Sequence, residues 1–228
     1  MIITIDGPAG TGKSSVAQIV AERLGFDFLD TGAMYRAVAL TALRRAAHLE
    51  DQRELAFIAR NAKIIFDFTR RPPGVLLNGD DVSFQLRGGD VTRATSFIAQ
   101  VPEVRQLMVA QQREIGAARP NLVTEGRDQG SVVFPHAELK IFLDALPAER
   151  ARRRAAQLRA RGEIVDMLEL QRQIIERDTR DSKRSVGPLT RPKDAIVIDT
   201  TELSQDQVVQ RIVDLARGQS SADSSART

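Results

Sequence analysis

Gly7-Pro8-Ala9-Gly10-Thr11-Gly12-Lys13-Ser14 follows directly on the apolar, β-branched run Ile2-Ile3-Thr4-Ile5. The order is that of a phosphate-binding loop: a strand at Ile2–Asp6, a Gly-rich turn ending in Lys-Ser, then a helix from about Ser14 to Leu24. Val16, Ile19, Val20 and Leu24 give that helix its apolar face. Glycine lets the backbone take positive φ and come close to a ligand. The free N–H groups of the turn and the helix N-terminus then point at an anion. Lys13 supplies a point charge for β- and γ-phosphates, and the Ser14 hydroxyl a ligand for Mg²⁺. An ordinary strand-to-helix turn needs no Lys-Ser at its end. The stretch predicts that the chain binds ATP or another nucleoside triphosphate through Gly7, Pro8, Ala9, Gly10, Thr11, Gly12, Lys13, Ser14 and Ser15.

Working outward, 228 residues allow one α/β domain with insertions, or one large and one small domain. A hydrophobic content of 42% with 28% charged residues suits a globular fold. With no cysteine, disulfides and thiolate metal sites are excluded, and two histidines disfavour a His-based site. The first apolar run is about four residues long and enters the loop at once, so no signal peptide is expected. No apolar stretch approaches the ~20 residues of a membrane span, and a cytoplasmic location is expected. Net charge is only +3, but Arg outnumbers Lys and is concentrated between Arg150 and Arg184. Nine Phe, one Tyr and no Trp supply a poor stacking platform for single-stranded nucleic acid, whereas Arg suits bidentate recognition of phosphate. A small phosphorylated ligand is favoured over a polymer or a membrane.

Further strands are expected near Phe26–Leu29, Asn121–Glu125, Lys140–Asp144 and Ala195–Asp199, as short apolar runs without alternation. Helices are expected at about 14–24, 33–48, 101–118, 147–161, 164–184 and 204–217. Alternation of the two predicts βαβ units and a parallel sheet. Residues 62–88 break the rhythm. Lys63–Phe68 alternates, Arg71-Pro72-Pro73-Gly74 is a turn, Val75–Leu77 leads into the hairpin dipeptide Asn78-Gly79, and Asp81–Leu86 is the expected return strand. A small antiparallel sheet is predicted there. The Ser/Ala/Asp-rich tail at 218–228 is expected to be disordered.

Three more constellations narrow the chemistry. Asp30-Thr31-Gly32-Ala33-Met34-Tyr35-Arg36 follows a strand and opens a helix that Thr31 can N-cap. Glu125-Gly126-Arg127-Asp128 ends a central strand, where open α/β sheets hold their ligands. In Glu176–Arg184, residues Arg177, Asp181 and Arg184 share a helix face. Such a run is either a solvated, ion-paired face or a cluster of cations for phosphoryl transfer, in which the protein supplies electrostatics and alignment.

Together these stretches resemble bacterial cytidylate kinases over nearly the whole chain. Ile5–Gly10, Leu29–Arg36, Glu125–Asp128, Val132–Pro135, Lys140–Ala145 and Glu176–Asp181 carry the resemblance. It implies a P-loop NTPase three-layer α/β fold with a central parallel sheet, an inserted monophosphate-binding domain and a helical lid. The core would be residues 1–31, 89–149 and 185–217, the monophosphate-binding region 32–88 and the lid 150–184.

The activity implied is ATP-dependent phosphorylation of CMP and dCMP, with Mg²⁺, by a monomer. CMP would meet Thr31, Tyr35, Arg36, Ser96, Arg105, Arg127, Asp128, Arg177, Asp181 and Arg184. In that set Ser96, Arg105 and Asp128 would read the cytosine edge, and Asp181 the ribose. Lys13, Arg127, Arg177 and Arg184 would stabilise the transferring group, and Arg152–Arg154 and Arg159 would embrace ATP. Ser14-Ser15 stands where many relatives carry Gly-Thr, and Ser182-Lys183 where some are richer in Arg. Another small-metabolite P-loop kinase would share Gly7–Ser14. A GTPase would show an Asn/Thr-Lys-x-Asp stretch, which is missing from the sequence.

Overall fold

The apolar run Ile2–Asp6 forms β1 and is buried on both faces from Ile3 onward, as an interior parallel strand must be. We describe a computed structural model covering residues 1–225, with side chains described to residue 219. The chain divides into two compact units, Met1–Phe26 with Asn121–Thr228, and Asp27–Pro120.

In the first unit β1 lies between β6 (Leu122–Gly126) and β7 (Leu139–Asp144), and β8 (Ile196–Asp199) pairs with β7. All these pairings are parallel. The register sets Asp6 opposite Gly126 on one side and Phe142 on the other. The phosphate loop therefore leaves β1 beside the turn carrying Arg127 and Asp128. Helices α1 (Lys13–Leu24) and α8 (Gln205–Ser225) pack on each other. Helices α6 (Pro147–Arg159) and α7 (Met167–Ser182) form a second packed pair. Gly162, at φ 81°, lies in the break between them, and Asp166 caps α7 by accepting from Leu168 and Glu169 N–H.

The second unit begins with β2 (Asp27–Asp30), α2 (Thr31–Arg44) and α3 (Gln52–Asn61). An antiparallel sheet follows, of β3 (Ile64–Asp67), β4 (Gly74–Leu77) and β5 (Asp80–Asp81). Helices α4 (Gly89–Ile98) and α5 (Pro102–Ala118) complete the unit. Asn78 and Gly79 take φ 55° and 101°, as the β4–β5 hairpin turn requires.

Several expectations are corrected. The return strand Asp81–Leu86 shrinks to Asp80–Asp81, because side chains take over the pairing. Asp81 Oδ1 accepts from Ser83 N–H at 2.9 Å, and Ser83 Oγ accepts from Val75 N–H at 2.9 Å. Residues 89–120, expected in the core, fall in the second unit, where α4 packs on α2 and α5 on α3. Helix α8 runs on to Ser225, through most of the tail expected to be disordered. Once nucleated, a helix propagates through Gln, Ala and Ser at small cost. The tail's last residues, 226–228, lie outside the described residues.

Candidate active site

In the first unit the loop is enclosed by its neighbours. A Cβ on Gly7 would lie 2.1 Å from the Leu143 carbonyl oxygen, and φ there is 147°, so only glycine fits. Lys13 opens α1 and is almost wholly buried. Its Nζ donates to the Pro8 carbonyl at 2.7 Å, and Thr11 Oγ1 donates to the same oxygen at 3.1 Å. Burial first, then Arg127 and Arg177, push the Lys13 ammonium down to about 7, with Glu125 opposing. Ser14 Oγ donates to Glu125 Oε1 at 2.7 Å, joining the start of α1 to the end of β6.

Arg127, Arg177, Asp181 and Arg184 come together in the same unit. Arg127 Nε donates to Asp181 Oδ2 at 2.9 Å, and Arg184 Nη2 donates to Asp181 Oδ1. Burial would raise the Asp181 pKa, but Arg127, Arg184 and Arg177 outweigh it and hold the carboxyl below its usual value. Asp128 is buried where β6 passes into a single π-type turn, Gln129–Val133. Asp6 holds that turn, accepting from Gln129 N–H at 2.9 Å and Gly130 N–H at 2.7 Å. Burial pushes the Asp6 carboxyl up to about 7.

In the second unit Asp30, not Thr31, caps α2, accepting from Ala33 N–H at 3.0 Å. Thr31 is the first helical residue and is buried. The carboxylate outcompetes the hydroxyl because its second oxygen also takes Arg36 Nη2 at 2.5 Å. Tyr35 and Arg105 meet: the guanidinium carbon lies 5.4 Å from the ring centroid, within cation–π range. Arg105 is only 2% exposed, and its Nη1 reaches the Ala99 carbonyl at 3.4 Å. Ser96, nine residues before Arg105, donates from Oγ to the Arg93 carbonyl at 2.7 Å.

The family profile described as cytidylate kinase matches residues 3–218 of this chain. The chain belongs to the cytidylate kinase family. It is therefore a phosphotransferase. Among its relatives is a cytidylate kinase of Caldanaerobacter subterraneus subsp. tengcongensis, 45% identical over 94% of each chain. Another, from a Geobacillus species, is 46% identical over 93% of this chain and 95% of its own. In shape the chain resembles a gluconokinase from Sinorhizobium meliloti 1021, with a TM-score of 0.51 and 16% identity over 96% of this chain and 94% of the other. That likeness supports the P-loop kinase fold alone.

For this cytidylate kinase family member, three structurally committed residues had no site role in the sequence reading: Asp6, Arg150 and Asp178. Asp178 was hidden in the charged run of α7, where spacing alone does not distinguish a solvated carboxylate from a docked one. Two arginines assigned to ATP have structural partners here. Arg152 pairs with Glu149, and Arg153 with Glu149 and the Thr200 carbonyl and hydroxyl.

Proposed function

We propose that the enzyme transfers the γ-phosphoryl group of ATP to CMP and dCMP. The carrying observation is the convergence of cations from three separate elements: Lys13 from the loop, Arg127 from the end of β6, and Arg177 and Arg184 from and just beyond α7. Arg127 and Arg177 lie close enough to Lys13 to depress its pKa, and Asp181 draws Arg127 and Arg184 together. Such a cluster suits two phosphate groups, because transfer spreads charge over equatorial oxygens with little covalent work for the protein.

An oxygen of the acceptor phosphate forms the new bond to the γ-phosphorus as the bond to the β,γ-bridging oxygen breaks and ADP leaves. That acceptor oxygen needs no general base. A phosphate monoester's second ionisation lies near ~6, so it is anionic at neutral pH. Lys13 and the arginines supply fixed charge to the transferring group. Asp181 keeps two of those arginines oriented before the nucleotide arrives. In the second unit, Arg36 offers a phosphate contact, Thr31 and Tyr35 flank the nucleotide, and Ser96 and Arg105 read the base.

Magnesium fits the residues at the loop. Ser14 and Glu125 are hard oxygen donors joined at 2.7 Å, and Mg²⁺ is usually held by one or two such groups with substrate phosphates and water. When bound it neutralises charge on the β- and γ-phosphates. Among the described residues no helix is long and apolar enough to cross a membrane. A coupled assay with ATP against CMP, dCMP, UMP, AMP and GMP tests the reading. Turnover with CMP and dCMP far above AMP and GMP is expected, and preference for a purine acceptor would overturn it.

Two further results are expected. In the free enzyme Lys13 is protonated below about 7, so kcat/KM for ATP should fall as pH rises through that value. Bound phosphates favour the ammonium, so kcat should hold to higher pH. A kcat/KM for ATP that stays flat between about pH 6 and 9 would separate Lys13 from ATP capture. The second concerns motion in the lid at 150–184. Residues 156–173 contain no buried side chain, so little apolar packing holds the α6–α7 tip down. Hydrogen exchange there should slow strongly only with both nucleotides or a bisubstrate analogue, with slowing at 62–88 as well. Equal protection in the empty and doubly liganded protein would mean a preformed site.

A further inference from the structure

The peptide groups of Ala9 are held from both sides by α6 and α7. Its N–H donates to Asp178 Oδ1 at 3.0 Å, and its carbonyl accepts from Arg150 Nη1 at 3.1 Å. Arg150 Nη1 also donates to Asp178 Oδ2, which closes a ring of three residues, and Arg150 Nε donates to the Ala145 carbonyl at 3.0 Å. The Arg150 side chain is 6% exposed and that of Asp178 16%. A planar guanidinium can serve these acceptors at once from a fixed position, which a lysine cannot. Contact is close on the loop side too, since a Cβ on Gly10 would lie 3.0 Å from Arg150 Cβ.

Asp178 directly follows Arg177 and precedes Asp181 by three residues. Fixing it therefore fixes both the rotation of α7 and its height, because a slip of one residue moves a helix by ~1.5 Å and turns its face by ~100°. We propose that Arg150 and Asp178 are positioning residues, holding α7 in register with the phosphate loop so that Arg177 and Arg184 align with the group bound at Lys13. The inference rests on the reading of Arg177, Asp181 and Arg184 as acceptor-site residues.

The test is single-turnover transfer from ATP to CMP, with both KM values, in wild type, Asp178→Asn and Arg150→Lys. Asp178→Asn keeps the volume and one acceptor but loses the charge. Arg150→Lys keeps a buried cation for Asp178 and carries the test if Asp178→Asn does not fold. Misalignment without loss of any substrate contact should slow transfer about 10- to 100-fold while both KM values stay within about 3-fold. The ratio of ATP hydrolysed to CMP phosphorylated should rise. A purely structural role would instead lower thermal stability and leave transfer by the folded fraction unchanged, and that result overturns the inference. A rise in both KM values at wild-type transfer rate overturns it equally. Wild-type protein inactive on CMP would overturn the functional reading with it, whereas an active wild type with unaffected variants overturns this inference alone.

Discussion

Replacing Lys13 by Ala is expected to lower kcat by at least about 10²- to 10³-fold, the effect of removing one preorganised donor from a developing charge. The folded protein should melt no lower. Lys13 loses one hydrogen bond to Pro8, worth about 1 kcal/mol net. Against that, its pKa falls from 10.5 to about 7 on folding, so the native state holds the ammonium reluctantly. Between those two values the unfolded chain binds more protons, so wild-type stability gains with rising pH. The cost of burying the charge is thus fullest below about 7 and fades towards 10.5, and the Ala variant is free of it throughout. A coupled assay and urea melts at two pH values measure both halves. Near-normal turnover in Lys13→Ala would remove the loop from the chemistry, whatever the melts show.

That contrast between catalytic weight and structural cost also marks what could be read without coordinates. The loop and the strands of the first unit were legible because their signals are local: a fixed spacing of Gly, Lys and Ser, and short β-branched runs bounded by turns. Helices α3 and α4 were missed for two different reasons. Helix α3 carried a readable start in Asp51, which caps Arg53 and Glu54 N–H, with Leu55, Ile58 and Ala59 buried behind it. Helix α4 starts with Gly88-Gly89 and contains two threonines, poor helix formers, so only tertiary burial of Val91, Ala94, Thr95 and Ile98 makes it a helix. The α2 cap was misassigned by one residue because a hydroxyl and a carboxylate both suit the position. The second task of Asp30, holding Arg36, depends on contacts across a helical turn.

Among the site residues, the grouping of Arg177, Asp181 and Arg184 followed from helical spacing. Their junction with Arg127 is a contact over more than fifty residues that no local pattern encodes. Glu149 lies three and four residues before Arg152 and Arg153, so their pairing along α6 was within reach of helical spacing. Whether an arginine meets phosphate or a carboxylate one turn away is decided by neighbours such as Glu149.

Arg105→Met is expected to cut kcat/KM for CMP by about 10³- to 10⁴-fold while ATP affinity changes little, since a site built to hydrogen-bond one base edge loses that much when polar partners go unmatched. Arg105 projects from the first turns of α5, which Pro102 opens at its first helical position. The residue is 2% exposed, with its guanidinium carbon 5.4 Å from the Tyr35 ring centre. A guanidinium cannot shed its proton to escape burial, so it must be matched by acceptors. Within the second unit Tyr35 offers a π face at 5.4 Å and the Ala99 carbonyl a long contact at 3.4 Å. Methionine has a similar reach and no charge, so it should keep the packing against Tyr35 and leave the fold intact. If Arg105 instead serves only to brace α5 against α2, the variant will lose melting temperature and keep its KM for CMP. The decisive measurement is therefore the pair of KM values beside a thermal melt. A fall in ATP affinity with unchanged CMP dependence would place Arg105 on the donor side and end its assignment to the base.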